Sequence, residues 1–532
     1  MKQPFALVAA LFAGALNVFA FAPFGYWPLQ IACTAFLFFL VMRAHSARQA
    51  GALGWLYSFA GTCAGVHWLY VSLHDLASMP AWLTVLAIGL LALGLGLLVG
   101  AATGGARRLQ QHWQAGAAIT LLMILPALWT LAEWTRSWIF TGFPWLSTGY
   151  AHGEAPLAGY APLLGVYGVG WVAAILAALL VLAFKPARLK TISLIAISGT
   201  MIIVAGQGLR SIAWTKPFGA PITVRLLQGN VPQAMKFDPE ALPSTLGLYD
   251  ALITHTPADL IVTPETALPV VRQQLPPEYL PRLAAFARQS KSHVLLGMPI
   301  SDRPEDYSNG LIVLDPANSI ASSLMPAASS SKVSPLSDAI YRYDKHHLVP
   351  FGEFIPTGFR WFVDTMKMPL GDQTRGALLQ APFPVKEQWV LPNICYEDLF
   401  GEEIAAQMRW RASRGLPMPT MLLNISNIAW FGDTVALPQH LQVSQMRTLE
   451  TGRPMLRATN TGATAVIDAD GKVLAQLPSY TRGTLAASVQ GYQGMTPFIE
   501  YGNGTIVAIA GFMLAGAAAL SRLQAGARGG MR

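Results

Sequence analysis

The chain has 532 residues, 53% of them hydrophobic and only 12% charged, and its mean hydropathy of +0.41 excludes a wholly water-soluble protein. A formal net charge of +8 and a pI near 9.4 do not point to nucleic acid, because much of the excess lies beside apolar runs instead of forming a binding stripe. Membrane insertion is the first expectation.

A helix needs about 20 apolar residues to cross a hydrocarbon core roughly 30 Å thick, at about 1.5 Å per residue. Seven runs qualify early in the chain, near 5–22, 27–42, 52–73, 81–103, 117–134, 162–184 and 191–209, and an eighth lies near 503–521. With eight spans, Lys2, Arg43 and Arg48, Arg107 and Arg108, Lys185, Arg188 and Lys190, and Arg522, Arg528 and Arg532 all fall on one side, while the opposite short connections hold only Arg136. Cytoplasmic loops retain Lys and Arg, so both termini are expected in the cytoplasm and residues 210–500 outside it. Ala20-Phe21-Ala22 also fits a signal-peptide cleavage site, but Pro23 and the immediate return to apolar sequence favour a retained helix.

The spans carry no Lys, Arg or Asp in their middles, which disfavours an ion-coupled transporter. Gly96 and Gly100, with Gly89 and Gly94 nearby, read as packing glycines, and Asn17 and His67 as interhelical hydrogen-bonding groups rather than ligands. After span five, EWTRSWIFTGFPWLSTGY is rich in rings suited to a membrane interface, either as a lipid-contacting surface or as a plain aromatic belt.

Residues 210–500 are numerous enough for one large core. Short apolar runs bounded by turn residues read as strands: ITVRLLQGN, DLIVTPE, HVLLGMP, GLIVLD, WVLPNI, TMLLNISN, MLRATN and TAVIDADG. EYLPRLAAFARQS and LFGEEIAAQMRWRASRG repeat apolar positions at three and four residues, as helices do, so α/β layers are expected. The Ser-, Ala- and Pro-rich stretch 321–338 reads as a flexible surface insertion.

Within this region Cys395 is the one cysteine outside an apolar span, placed where the strand-like VLPNI breaks into an acidic turn. A thiol is mostly protonated near neutral pH, so it needs a carboxylate to accept its proton, for which Glu265 in TPETALP is the candidate. Attack on an acyl carbon places negative charge on oxygen, which an ammonium such as Lys345, together with the backbone N–H after Cys395, would stabilise. Taken singly, each residue has a plainer reading, the cysteine as a buried small hydrophobe and the charges as solvated loop groups. Glu353, Glu397 and Asp398 read as a second acid, a pocket wall or surface charge, and the adjacent His346 and His347 lack zinc-site spacing, so no metal is expected. Cys33 and Cys63 lie in predicted spans, leaving Cys395 as a free thiol better explained by reactivity than by stapling.

The order Glu265, Lys345, Cys395, each at or near the end of an apolar run, resembles the nitrilase (carbon-nitrogen hydrolase) superfamily. The segments FAFAPFGYWPL, HWLYVS, EWTRSWIFTGFPWL, QGNVPQ, TPETALP, KHHLVPFGEFIP, NICYEDLF, SNIAWFGD and RATNTGATAVIDADG together resemble the bacterial apolipoprotein N-acyltransferases over nearly the whole chain. The resemblance implies a membrane bundle of about eight helices plus an α-β-β-α sandwich. It divides the chain into a seven-helix bundle (1–209), a periplasmic catalytic domain (210–500) and a last helix with a short cytoplasmic tail (501–532). It implies multi-pass insertion in the bacterial inner membrane and transfer of an acyl chain from a phospholipid to the N-terminal amine of a diacylglyceryl-modified apolipoprotein, with no cofactor. Carried over by motif, Glu265 is the base, Lys345 the oxyanion stabiliser and Cys395 the nucleophile that becomes a thioester, with Glu353, Tyr396, Glu397 and Trp430 in support. Two positions depart from the pattern: Phe237 stands where the family commonly has Trp, and Ile428 where the superfamily usually has Asp. Two other readings use different chemistry. A membrane-anchored amidase or nitrilase would give its acyl group to water, but one helix would suffice to anchor it. A transporter or receptor with a ligand-binding outer domain is opposed by the triad and by the uncharged spans.

Overall fold

The computed structural model describes residues 3–184, 189–303, 306–317, 340–356, 358, 360 and 372–529. The 321–338 stretch, together with Lys2, Lys185, Arg188 and Arg532, lies outside them. The chain divides into two compact units, one of residues up to Trp214 and from Thr496, the other Thr215–Met495.

The first unit is helical. Its main helices are α1 (Gln3–Leu16), α2 (Trp27–Arg43), α3 (Ala47–Gly65), α4 (Ala81–Trp113), α5 (Ala117–Arg136), α6 (Ala161–Ala183) and α7 (Leu189–Leu209), and the chain returns to the unit in a last helix, Gly504–Gly529. Among the described residues six helices are long and apolar enough to cross a membrane, while Trp27–Arg43 is apolar but shorter. The third predicted span differs most: its helix starts earlier, at Ala47, where Ser46 caps it by accepting from the Gln49 N–H, and ends at Gly65.

Small residues let α3 and α4 approach closely. A Cβ on Gly100 would stand 3.1 Å from the Gly51 carbonyl oxygen and one on Gly104 3.0 Å from that of Ala47, so any larger side chain would push the helices apart. Thr103 Oγ1 adds a bond to the Ala50 carbonyl at 2.9 Å. Gly89 and Gly94, by contrast, have nothing near them.

Two expectations need correction here. His67 does not bond between helices; its Nδ1 lies 2.8 Å from the carbonyl of Ala64, three residues back on the same turn. The spans also hold a buried acid: Glu133 Oε1 accepts from the Thr148 N–H and hydroxyl at 2.8 and 2.7 Å, which ties the aromatic loop after α5 back onto that helix. A cavity of about 60 Å³ beside Glu133 and Arg136, walled by Trp129, Phe143 and Trp145, has room for a few waters.

Among the described residues the second unit contains two six-stranded sheets. Its strands are β1 (Thr215–Gln228), β2 (Leu260–Val262), β3 (His293–Arg303), β4 (Asp306–Leu314), β5 (Tyr341–Asp344), β6 (Phe383–Val385), β7 (Gln388–Ile394), β8 (Met421–Ser426), β9 (Met455–Thr459), β10 (Ala465–Ile467), β11 (Val473–Gln476) and β12 (Gly483–Gly494). One sheet has the order β12-β1-β2-β3-β4-β5 and the other β11-β10-β9-β8-β7-β6. The central pairs β1/β2, β2/β3, β7/β8 and β8/β9 are parallel, and the flanking pairs antiparallel.

Side-chain alternation decides the layers. Leu260, Val262 and Leu295 meet Ile394, Leu423 and Leu456 of the other sheet in a shared core, while the intervening Ile261, Val294 and Leu296 face outward onto α8 (Leu242–Thr254) and α9 (Tyr279–Ser290). Both faces of these strands are therefore covered, which is why they read as unbroken apolar runs. On the second sheet, α11 (Ala436–Thr451) packs against β9 and β10 and against α10 (Gly401–Ala412). The result is the four-layer α-β-β-α sandwich that the resemblance implied.

Candidate active site

Three strand ends supply the three candidate catalytic residues. Glu265 follows β2, Lys345 follows β5 and Cys395 follows β7. The backbone is shaped to allow this. A Cβ on Gly297 of β3 would stand 2.2 Å from the Pro264 carbonyl oxygen, so only glycine lets β3 run this close beneath the Glu265 turn. The Gly297 N–H donates to Thr263 Oγ1 at 3.0 Å, and the Leu268 N–H to the Gly297 carbonyl at 3.1 Å, fixing that turn on both sides.

Glu265 is buried, with every oxygen engaged. Its Oε1 accepts from Asn309 Nδ2 at 2.6 Å and Lys345 Nζ at 3.4 Å, and its Oε2 accepts from the Asn427 N–H at 2.7 Å. Burial alone would raise its pKa, but the Lys345 and Lys236 ammoniums and these donors outweigh it and hold the carboxyl below its ordinary value. Lys345 Nζ also donates to Glu353 Oε1 at 2.8 Å, and Glu353 Oε2 accepts from the Val349 N–H at 2.9 Å. Burial would lower the Lys345 pKa; Glu353, Glu265 and the thiol together overcome it and raise it instead.

Cys395 is half-buried and has a φ of +53°, in the left-handed region that non-glycine residues rarely enter. Such strain at a strand-to-turn junction is concentrated at functional positions in proteins. Burial and then Glu265 push its thiol up to about 12, with Lys345 pulling the other way. The resting pair is thus an ionised carboxylate and a neutral thiol, an arrangement suited to proton transfer during attack rather than to a standing thiolate.

The supporting residues divide. Glu353 belongs to the charge network just described. Glu397 does not face Lys345 by a direct bond but serves the turn: Oε1 accepts from the N–H groups of His346 at 2.7 Å and His347 at 3.2 Å, and Oε2 from the Ile394 N–H at 2.6 Å and the Tyr343 hydroxyl at 3.0 Å. It therefore joins the backbone after Lys345 to the backbone before Cys395. Burial pushes its carboxyl up to about 7. Tyr396 is buried against His347 and Phe400, with ring centroids 5.7 and 5.3 Å away. Phe237 is 58% exposed and Trp430 40% exposed, large apolar surfaces left open on this unit. Ile428 is fully buried, filling with hydrocarbon the place where the superfamily pattern has a carboxylate.

Several residues had no motif to announce them. Lys236, buried, donates from Nζ to the Glu265 carbonyl at 3.0 Å, and burial brings its pKa down to about 7. Asn309 bridges both acids, its Nδ2 lying 2.6 Å from Glu265 and 2.8 Å from Glu353. The only signal for Asn309 was polarity at the head of an apolar run, SNGLIVL, and Lys236, in VPQAMKFDPE, had no local signal.

Two sequence families match the chain: one described as the apolipoprotein N-acyltransferase N-terminal domain over residues 13–179, and carbon-nitrogen hydrolase over residues 223–495. A protein named apolipoprotein N-acyltransferase in Ralstonia nicotianae is 47% identical over 98% of this chain and 95% of its own length. The chain belongs to the apolipoprotein N-acyltransferase family. Similarly named proteins from Nitrosomonas europaea and Haemophilus influenzae are 42% and 34% identical, across 97% and 96% of this chain and 97% and 94% of their own lengths. Among solved structures, an amidase from Nesterenkonia sp. matches at 18% identity and a TM-score of 0.35, covering 51% of this chain and 92% of the amidase. Family membership identifies the chain as an acyltransferase enzyme with membrane-spanning helices and a carbon-nitrogen hydrolase domain.

Proposed function

We propose that this protein transfers a fatty acyl chain from a membrane phospholipid to the N-terminal amine of a diacylglyceryl-cysteine apolipoprotein, through a thioester on Cys395. The observation that carries the mechanism is the buried Glu265–Lys345–Glu353 network acting electrostatically on a thiol held in a strained turn.

In the first half-reaction Glu265 takes the Cys395 proton as sulfur attacks the ester carbonyl of the phospholipid. Two hydrogens of the Lys345 ammonium are committed to carboxylates, and the third is the one that can meet the developing oxyanion. Collapse breaks the acyl–oxygen bond, and the departing lysophospholipid oxygen takes the proton from Glu265. In the second half-reaction the lipoprotein amine attacks the thioester and gives a proton to Glu265, and the sulfur leaves and is reprotonated. The amide bond is formed, and thiol and carboxylate are restored, without any redox change. The loop-side position of basic residues supports an inner-membrane protein with Thr215–Met495 in the periplasm, where exported lipoproteins and the outer leaflet are both within reach.

The test is intact mass spectrometry of the solubilised full-length protein after incubation with phospholipid alone. A labile acyl adduct on Cys395 and release of one lysophospholipid per protein are expected, followed by transfer on addition of a diacylated lipopeptide. Adduct loss to water at the same rate with or without the lipopeptide would make the protein a hydrolase, and absence of both adduct and early lysophospholipid would remove the thioester.

A further inference from the structure

The carbonyl of Cys395 is held by residues that neither the triad nor the supporting acids include. His440, on α11 and 1% exposed, places Nε2 3.2 Å from that oxygen, and Asn424 Nδ2 donates to it at 3.3 Å. On the other side of the imidazole, Nδ1 lies 2.5 Å from Arg457 Nη2. A guanidinium can only donate, so Nδ1 must be the acceptor and the ring proton sits on Nε2, directed at the carbonyl. Burial and the adjacent Arg457 charge both disfavour a second proton. The imidazole is therefore a fixed neutral donor rather than an acid or base.

Arg457 is itself held. Its Nη1 donates to Ser444 Oγ at 2.6 Å and reaches Asp398 Oδ2 at 3.4 Å, and the Ser444 hydroxyl bonds the same carboxylate. Asp398 lies three residues beyond Cys395 in the same turn. The contacts thus form a closed ring: from the Cys395 carbonyl to His440, to Arg457 on β9, to Asp398, and back along the chain to Cys395. Both ends of the strained turn are clamped by one buried set of side chains.

We propose that His440 is a positioning residue for both half-reactions, pinning the Cys395 carbonyl so that the thiol is presented to the acyl carbon and the Tyr396 N–H to its carbonyl oxygen. In a planar trans peptide the C=O and the following N–H point in opposite directions, so anchoring the carbonyl toward His440 and Asn424 turns the Tyr396 N–H the other way. A left-handed residue that lost its anchor would relax, and that N–H and the sulfur would move together. This proposal rests on the thioester reading above.

The experiment compares wild type, His440→Leu and His440→Gln as full-length protein in detergent, measuring single-turnover acylation of Cys395 against phospholipid concentration, with the thermal midpoint of each. Removing the donor in His440→Leu should lower the maximal acylation rate on the order of 10²-fold, the usual result of displacing reacting groups by about 1 Å. The phospholipid concentration at half-maximal rate should stay within about twofold, because positioning acts in the transition state and not on ground-state binding. His440→Gln, whose amide can still donate to the carbonyl, should recover most of the rate. A His440→Leu rate equal to wild type overturns the proposal, as does a folded His440→Gln protein with wild-type melting that is as slow as the Leu variant. If His440→Leu fails to fold, the Gln variant alone decides, near-wild-type acylation supporting a donor role and a slow, stable protein refuting it. A wild-type protein that forms no adduct would instead overturn the thioester reading, and this proposal with it.

Discussion

Replacing Glu265 by Gln separates the structural bonds this side chain makes from the base role proposed for it. The carboxylate accepts three bonds, from Asn309 and Lys345 on one oxygen and from the Asn427 N–H on the other. In the better orientation the amide oxygen keeps the first two, and its NH₂ is then set against the Asn427 N–H, donor facing donor. That buried N–H is left unsatisfied, at a cost of about 1–3 kcal/mol. Lys345 keeps its bond to that oxygen and loses only the negative charge beside it, while Glu353 stays at 2.8 Å, so its charge is not orphaned and the domain should still fold. Catalysis should suffer more, since an amide cannot take the thiol proton, and general-base assistance contributes about 10²–10⁴-fold. The assay is quenched-flow mass spectrometry of acyl-Cys395 formation from phospholipid without acceptor. Glu265 is held below its ordinary pKa while Cys395 is pushed up to about 12. The wild-type acylation rate should therefore not climb tenfold per pH unit between these limits, showing at most a shallow inflection near 7 where Lys236 and Glu397 titrate, and should fall as pH drops through the Glu265 value. A Gln variant acylating at the wild-type rate, or a wild-type rate climbing tenfold per pH unit across the neutral range, would refute the general-base assignment in favour of hydroxide-dependent thiolate attack.

Cys395→Ser should fold normally but lose turnover, since an alcohol is much less acidic than a thiol and its ester less reactive than a thioester; activity near wild type in a transfer assay would count against covalent catalysis by Cys395. Gly297→Ala should move the Glu265 turn, because the new Cβ meets the Pro264 carbonyl oxygen at 2.2 Å, and acylation should fall by at least about tenfold from misplacement of the base; unchanged kinetics would show that the turn can yield. Leu423→Ala, emptying a fully buried position between the two sheets, should cost about 2–5 kcal/mol in denaturant unfolding, whereas a loss under about 1 kcal/mol would mean that the sheets close over the gap. In a Cys395→Ser background, Gln289→Cys on the exposed surface of the second unit should react with a membrane-impermeant maleimide once the outer barrier is permeabilised, while Arg48→Cys should not; the reverse pattern would invert the proposed orientation.

The helices and most central strands were legible because their signals are local. Eight apolar runs correspond to eight helices, and β2, β3, β7, β8 and β9 are buried on both faces, so each stands out as an unbroken apolar stretch. The short or solvent-facing strands β5, β6, β11 and β12 were missed, and so was α11, for a different reason. Its sequence, ALPQHLQVSQMRTLET, is polar on nearly every side, yet 14 of its residues are buried. A helix that buries Gln439, His440, Ser444 and Arg447 does so only because other elements supply hydrogen-bond partners, and no local pattern encodes them.

The same division holds at the active site. Glu265 and Cys395 could be picked out because each follows an apolar run in a motif-bearing turn, whereas Lys345, after the missed strand β5, stood out by its KHHLVPFGEFIP motif. The sequence by itself therefore determined which chemistry is available and which segments are buried, through composition and periodicity acting over a few residues at a time. Tertiary structure decided how that chemistry is held. Asn309 from β4 spans two acids, Glu397 ties the Lys345 turn to the Cys395 turn, and Arg457 from β9 orients the imidazole of α11. Apart from the Ile394–Glu397 bond inside one turn, each of these contacts joins residues on different elements of the chain, and the protonation states of the thiol and the acids follow from burial and charge that exist only once the sheets have closed together.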